Sequence, residues 1–169
     1  MALAALEFAA DVADRRARFG SMPEAEQLIW ETTGARFDQP GAAVNSARAA
    51  TRAFGDLLER SLRGDEDAAR HLGVNRSRIS QRLSERSLYA FDGADDRYFP
   101  TWQFAGGRIV QGLKVVLEAL DHDLHPLVVD HWFTTPNVDL ELSGSPTSPA
   151  VWIATGGDPV AAAAVAPDL

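Results

Sequence analysis

Apolar positions along the chain recur mostly at helical spacing. Leu3, Leu6, Phe8, Val12 and Phe19 predict a first helix stopped at Gly20. A second begins at "SMPEAEQLIW", where Ser21 can cap, Pro23 suits the first turn, and Glu24 and Glu26 suit the positive end of the dipole. Leu28, Ile29 and Trp30 supply its buried face, and "ARFDQPG" breaks it. A third helix over 42–62 sets Val44, Ala47, Phe54, Leu57, Leu58 and Leu62 along one side, and Gly64 ends it.

The next stretch, "DEDAARHLGVNRSRISQRLSER", has a tighter pattern. Ala69 is small enough for two helices to cross, and Gly73, four positions on, suits the turn between them. Valine at Gly73 is expected both to strain the backbone and to crowd its neighbours. Leu72, Val74, Ile79 and Leu83 face inward, Asn75 caps the second helix, and Val74 with Ile79 forms a hydrophobic staple. The spacing predicts a helix-turn-helix.

"LYAFDGADDRYFPTWQF" holds two β-prone runs around Asp92–Gly93 and predicts a hairpin, the position of a wing. Arg97 can touch a phosphate backbone there, whereas Asp95 and Asp96 suit a structural wing better. Tyr98, Phe99, Trp102 and Phe104 read as core. After "AGGR", the pattern predicts a helix over 109–120 ending near His122–His125, and another over 126–133. "TTPN" then makes a turn, 149–154 a short helix with a glycine stop, and Asp158 and Pro159 begin a last Ala-rich helix. The expected fold is all-α: a helical bundle with a helix-turn-helix and a small β-hairpin wing, then a small helical module. The expected division is 1–63, a scaffold or dimerisation segment; 64–104, the helix-turn-helix with its wing; and 105–169, a partner-binding module.

Charge changes this picture. The chain of 169 residues has a formal net charge of −8, yet five arginines and one acid fall in residues 70–86. Residues 115–169 carry eight acids and no lysine or arginine. Such asymmetry implies different partners for different segments. Outside the core of the helix-turn-helix stand Arg76, Ser77, Arg78, Ser80, Gln81 and Arg82, beside the cap residue Asn75. Arginine can bond guanine bidentately, glutamine can bond adenine, serine reaches bases or phosphates, and a helix N-terminus attracts phosphate. These seven residues are the predicted DNA-binding set.

Other chemistries find little support. There is no cysteine, hence no disulfide or thiolate site, which fits a reducing cytoplasm. His122, His125 and His131 match no common zinc spacing, so no metal or cofactor is expected. No P-loop, dinucleotide-binding glycine run, nucleophile elbow or zinc-protease motif is present, and the chain is not expected to be an enzyme. The N-terminus, with Glu7 inside its apolar run and arginines after it, reads as a helix rather than a secretory signal. No apolar run approaches membrane-spanning length, so no membrane association is expected.

The order of motifs towards the C-terminus resembles that of the Xre/MbcA/ParS antitoxins. It comprises Trp132-Phe133, Thr135-Pro136-Asn137, Gly144-Ser145-Pro146-Thr147, Val151-Trp152-Ile153 and Gly157-Asp158, with "LGVNRSRISQ" and "RYFPTWQF" upstream. The resemblance covers about Asp65 to the C-terminus and leaves 1–63 outside it. Ser145 and Ser148-Pro149 depart from the family's run after the glycine. The resemblance implies a type II antitoxin that neutralises a RES-domain, NAD-degrading toxin and binds its own promoter DNA. It also implies toxin contacts at Trp132, Pro136, Asn137, Trp152, Gly157 and Asp158. A homo-oligomer or a toxin–antitoxin hetero-oligomer in the cytoplasm is the expected assembly. The alternative is a stand-alone helix-turn-helix regulator whose C-terminal module dimerises or senses a ligand.

Overall fold

The computed structural model describes residues 42–166, with side chains from Ser46 onward. The first two predicted helices lie outside the described residues. Two compact units divide the chain between Asp56 and Leu57, and the larger, Leu57–Asp168, holds every element discussed below except most of the first described helix.

Helix α1 (Ala42–Glu59) ends three residues earlier than its apolar pattern suggests. The chain then extends as β1 (Ser61–Arg63), because Leu62 packs against the helix-turn-helix core rather than along α1. Gly64, at φ 77°, turns the chain into α2 (Gly64–Leu72), and α3 (Arg76–Ser84) follows after the turn. The wing is β2 (Phe91–Asp92) against β3 (Arg97–Pro100), with β1 on the far side of β3. The register joins Ser61 to Pro100, Leu62 to Phe99 and Phe91 to Tyr98. The predicted hairpin is therefore present, but as part of a three-stranded sheet.

A single 3-10 turn, Thr101–Gln103, leads to a second hairpin, β4 (Phe104–Ala105) and β5 (Arg108–Ile109). Its two-residue loop is Gly106-Gly107, both at positive φ, the backbone that best matches strand twist. Next come α4 (Leu113–Ala119) and α5 (Pro126–Thr134). A third hairpin follows, β6 (Asn137–Leu142) and β7 (Ser145–Thr147), turning at Ser143 and Gly144, again both at positive φ. Helices α6 (Pro149–Ala154) and α7 (Pro159–Ala164) complete the described chain.

The expectation of an all-α fold is thus overturned. Among the described residues, seven helices stand with three small antiparallel sheets. The strands escaped a helical reading because each is short and depends on pairing as much as on its own sequence. The predicted helix over 109–120 begins only at Leu113, because Ile109 pairs in β5, and Asn137 of the predicted "TTPN" turn opens β6 instead.

The helix-turn-helix core is Ala68, Ala69, Ile79, Leu88 and Phe99, with Leu72, Val74, Leu83, Phe104 and Ile109 packed on it. Tyr98 and Phe99 are buried and Trp102 and Phe104 half-buried, so all four aromatics serve the core. Further along, Leu113, Val116 and Leu117 of α4 and Val128, Val129 and Phe133 of α5 are buried. Trp102 stacks on Phe133 with centroids 3.8 Å apart. Gln103 is fully buried, and its amide is satisfied because it bonds the backbone on two sides. Its Oε1 accepts from the Tyr89 N–H at 2.9 Å, and its Nε2 donates to the carbonyls of Tyr89 and Pro100.

Candidate nucleic-acid interface

Helix α2 stops because Gly73 adopts a left-handed conformation, φ 65° and ψ 33°. Gly73 N–H then donates to the Arg70 carbonyl and Val74 N–H to the Ala69 carbonyl at 3.0 Å, satisfying oxygens that the helix end would otherwise leave bare. Asn75 opens α3, and its Oδ1 accepts from the Arg78 N–H at 3.0 Å. Val74 and Ile79 flank this cap in the same core, so cap and staple stand as the spacing predicts.

With Ile79 and Leu83 inward, a period of 3.6 residues places Ser77, Gln81 and Ser84 on the opposite face. Arg78 and Ser80 lie on its flanks. Asn75, Arg76, Ser77, Arg78, Ser80 and Gln81 are all exposed. Arg82 is not fully outward: it is half-buried and its Nε is covered without a bonded partner. A relay crosses the exposed face, with Arg78 donating to Gln81 Oε1 and Gln81 Nε2 donating to Glu85, each at 2.6 Å. The Gln81 amide is therefore held in one orientation on that face.

The arginine cluster is smaller in space than in sequence. Arg70 pairs with Asp67 at 2.6 Å within α2, so it is already neutralised. Arg97 lies 3.3 Å from Asp65 and 3.6 Å from Asp92, and Arg63 lies 2.6 Å from Asp95. Arg63 and Arg97 thus face acids of the wing and of α2 rather than a free surface.

Arg86 also turns away. It follows α3 in a left-handed conformation, φ 52°, that ordinarily favours glycine. The bonds around it repeat those around Gly73: Arg86 N–H donates to Leu83 and Ser87 N–H to Arg82. An arginine there carries a backbone cost of roughly 1–2 kcal/mol. Its side chain reaches across to the Leu120 carbonyl at 2.9 Å and to His122 Nε2 at 2.8 Å. The cations left on α3 are Arg76, Arg78 and Arg82.

The residues expected to contact a toxin are mostly engaged within the chain. Trp132 is half-buried and donates Nε1 to the Val165 carbonyl at 3.1 Å. Trp152 donates Nε1 to the Asp158 carbonyl at 2.9 Å, and Gly157 lies against its indole. Asp158 caps α7 by accepting from the Val160 N–H at 2.9 Å. Asn137 bonds the Asp139 N–H, and Pro136 is exposed. Every exposed large hydrophobic among the described residues falls in the same acidic stretch: Val115, Val138, Leu142, Val151 and Val160.

The histidines occupy separate places. His125 Nδ1 accepts from the Leu127 N–H and caps α5, while His122 meets Arg86. Burial holds His131 below the usual histidine range, opposed by the pull of Asp130. Among the described residues, no group of three or more His, Cys, Asp or Glu is placed to hold a metal ion. Nor is any helix among them long and apolar enough to cross a membrane.

A buried carboxylate joins three separate segments of the larger unit and was not foreseen. Asp130 accepts from Arg60 at 3.0 Å and from Trp102 Nε1 at 3.1 Å. Burial raises its pKa above the ordinary value, although Arg60 and the Trp102 bond pull the other way. No local pattern marks this trio, since its members come from separate parts of the chain.

The chain matches no protein-family model, no curated protein and no solved structure.

Proposed function

We propose that the chain is a cytoplasmic type II antitoxin that binds promoter DNA through α3 and neutralises a RES-domain toxin through its C-terminal module. The observation that carries the DNA half is the capped, stapled helix-turn-helix, whose second helix turns Ser77, Arg78, Ser80 and Gln81 to solvent. A helix so presented fits a major groove, with the arginines available to phosphates and the Gln81 amide to a base edge. The toxin half rests on the order of C-terminal motifs and on exposed valines and leucine in a stretch without lysine or arginine. Exposed apolar groups within an acidic field suit a partner with a basic, partly apolar cleft. Either a homo-oligomer or a complex with the toxin is compatible with this reading.

The test uses two assays on one protein. Val138→Arg with Val160→Arg changes side chains that are 74% and 62% exposed, so folding should be spared. The variant should lose rescue of cells expressing a co-encoded RES-domain toxin while still shifting DNA from upstream of its own gene. Undiminished rescue by a variant that is fully expressed would count against this surface. Failure of the wild type to shift that DNA at low salt would count against the promoter half.

A further inference from the structure

We propose that the cavity beneath Arg86 is a binding site for a small carboxylate with a compact apolar body. The cavity measures about 220 Å³ and is walled by Leu83, Leu88, Leu117, Leu120, Leu124 and Val129. Arg86, Asp121 and His122 supply its polar side. The cavity is partly open to solvent, so a ligand can enter it without unfolding the wall. An engineered apolar cavity of about 150 Å³ is enough to hold benzene. An acid the size of benzoate or 4-methylpentanoate therefore fits these walls.

Arg86 is a second, separate observation. Gly73 ends α2 with the same pattern of bonds at φ 65°, and glycine would serve equally well after α3. An arginine held at φ 52° instead puts a guanidinium beside the cavity. Residues held in such conformations cluster where a ligand is gripped. Two N–H groups are spent on Leu120 and His122, and a guanidinium has five. The remaining donors suit a carboxylate, which arginine binds better than any neutral oxygen.

The other polar groups refine the ligand's chemistry. Burial, reinforced by Asp130, pushes the Tyr89 hydroxyl well above its ordinary range, so it presents no second anion to the ligand. Asp121 is exposed and its Oδ1 accepts from the Asp123 N–H, leaving its other oxygen for a cation. An apolar α-amino acid would use that oxygen for its ammonium, whereas a simple acid would not. Leu83 belongs to α3 and Arg86 lies just past its end, so an occupied cavity bears directly on that helix.

Titration of the full chain by calorimetry, without DNA or protein partner, tests the site. The probes are benzoate, benzamide, 4-methylpentanoate and L-leucine. Benzoate should bind at least tenfold more tightly than benzamide, and Arg86→Gly should abolish that preference. Glycine is at home in the left-handed conformation, so this variant keeps the end of α3. L-Leucine binding more tightly than 4-methylpentanoate identifies an amino acid, and the reverse order identifies a simple acid. The proposal is overturned if the acids bind no better than the amide, or if Arg86→Gly binds as the wild type does. Should that variant melt without cooperativity, Val129→Phe takes its place. It fills the cavity from α5 and must abolish binding, and unchanged binding by it overturns the proposal equally.

Discussion

The indole of Trp152 occupies the space that a side chain at Gly157 would need. An added Cβ would come within 2.6 Å of Nε1 and closer still to the ring carbons. The same nitrogen donates to the Asp158 carbonyl, so the contact fixes the turn between α6 and α7. Gly157→Ala should therefore unseat the indole and lower stability by about 2 kcal/mol, the usual scale of overpacking. A thermal melt reads this. Gly156, at φ 90° with open space around it, should respond through backbone strain alone.

Gly73 separates strain from crowding in the same way. Alanine there meets no crowding, because nothing lies within 4 Å of an added Cβ. Only the left-handed backbone resists substitution. Gly73→Ala should cost roughly 1–2 kcal/mol, and Gly73→Asn less, because asparagine enters this conformation more readily. Equal urea midpoints for all three proteins would contradict that account.

The exposed arginines make a prediction about salt. On the proposed DNA-binding function, replacing Arg76 and Arg78 with alanine should weaken promoter binding and flatten its dependence on salt. Each lost phosphate contact should reduce the slope of log K against log salt by about 0.9. Gel shifts across a salt series give the slope. Gln81→Ala should instead change which base is preferred, with little effect on the slope, as selection from a random DNA pool would show.

Asp130 predicts a pH dependence. Its folded pKa lies above 3.8, so just above that pH the folded state binds more protons than the unfolded state. Its contribution to stability therefore falls as pH rises from about 3.8 through the folded pKa and is level beyond. Asp130→Asn removes that slope. Urea unfolding of both proteins between about pH 3.5 and 7 should show the wild type losing ground to the variant as pH rises through this window. Parallel profiles would place the titrating carboxylate elsewhere.

What the sequence disclosed follows from how local each feature is. Gly73, Asn75 and the Val74–Ile79 staple lie within seven residues of one another, and the structure places each as their spacing requires. Strand β1 was invisible because Ser61–Arg63 becomes a strand only by pairing with residues nearly forty positions away. Strand β6 was legible in principle: Val138, Leu140 and Leu142 alternate with Asp139 and Glu141, and Ser143-Gly144 is a hairpin turn. Expecting a purely helical module hid it. Arg86 gave no signal, since the left-handed position it fills ordinarily calls for glycine. The bonds from Arg60 and Trp102 to Asp130 join distant segments, so only the folded chain brings them together.

The pairing of Ser61 with Pro100 makes the helix-turn-helix a closed loop of chain rather than a cassette. A fragment begun at Gly64 would keep both helices yet strip one side from β3, the middle strand of its sheet. That would expose the backbone along Tyr98 and Phe99 as a free edge, open to pairing with another molecule. Such fragments should aggregate where the longer chain does not. The same closure lengthens the search during folding, because β1 must wait for β3 to be made before it can pair. During synthesis, Leu62 leaves the ribosome well before its partner Phe99, and the segment between them must stay soluble until the ring shuts.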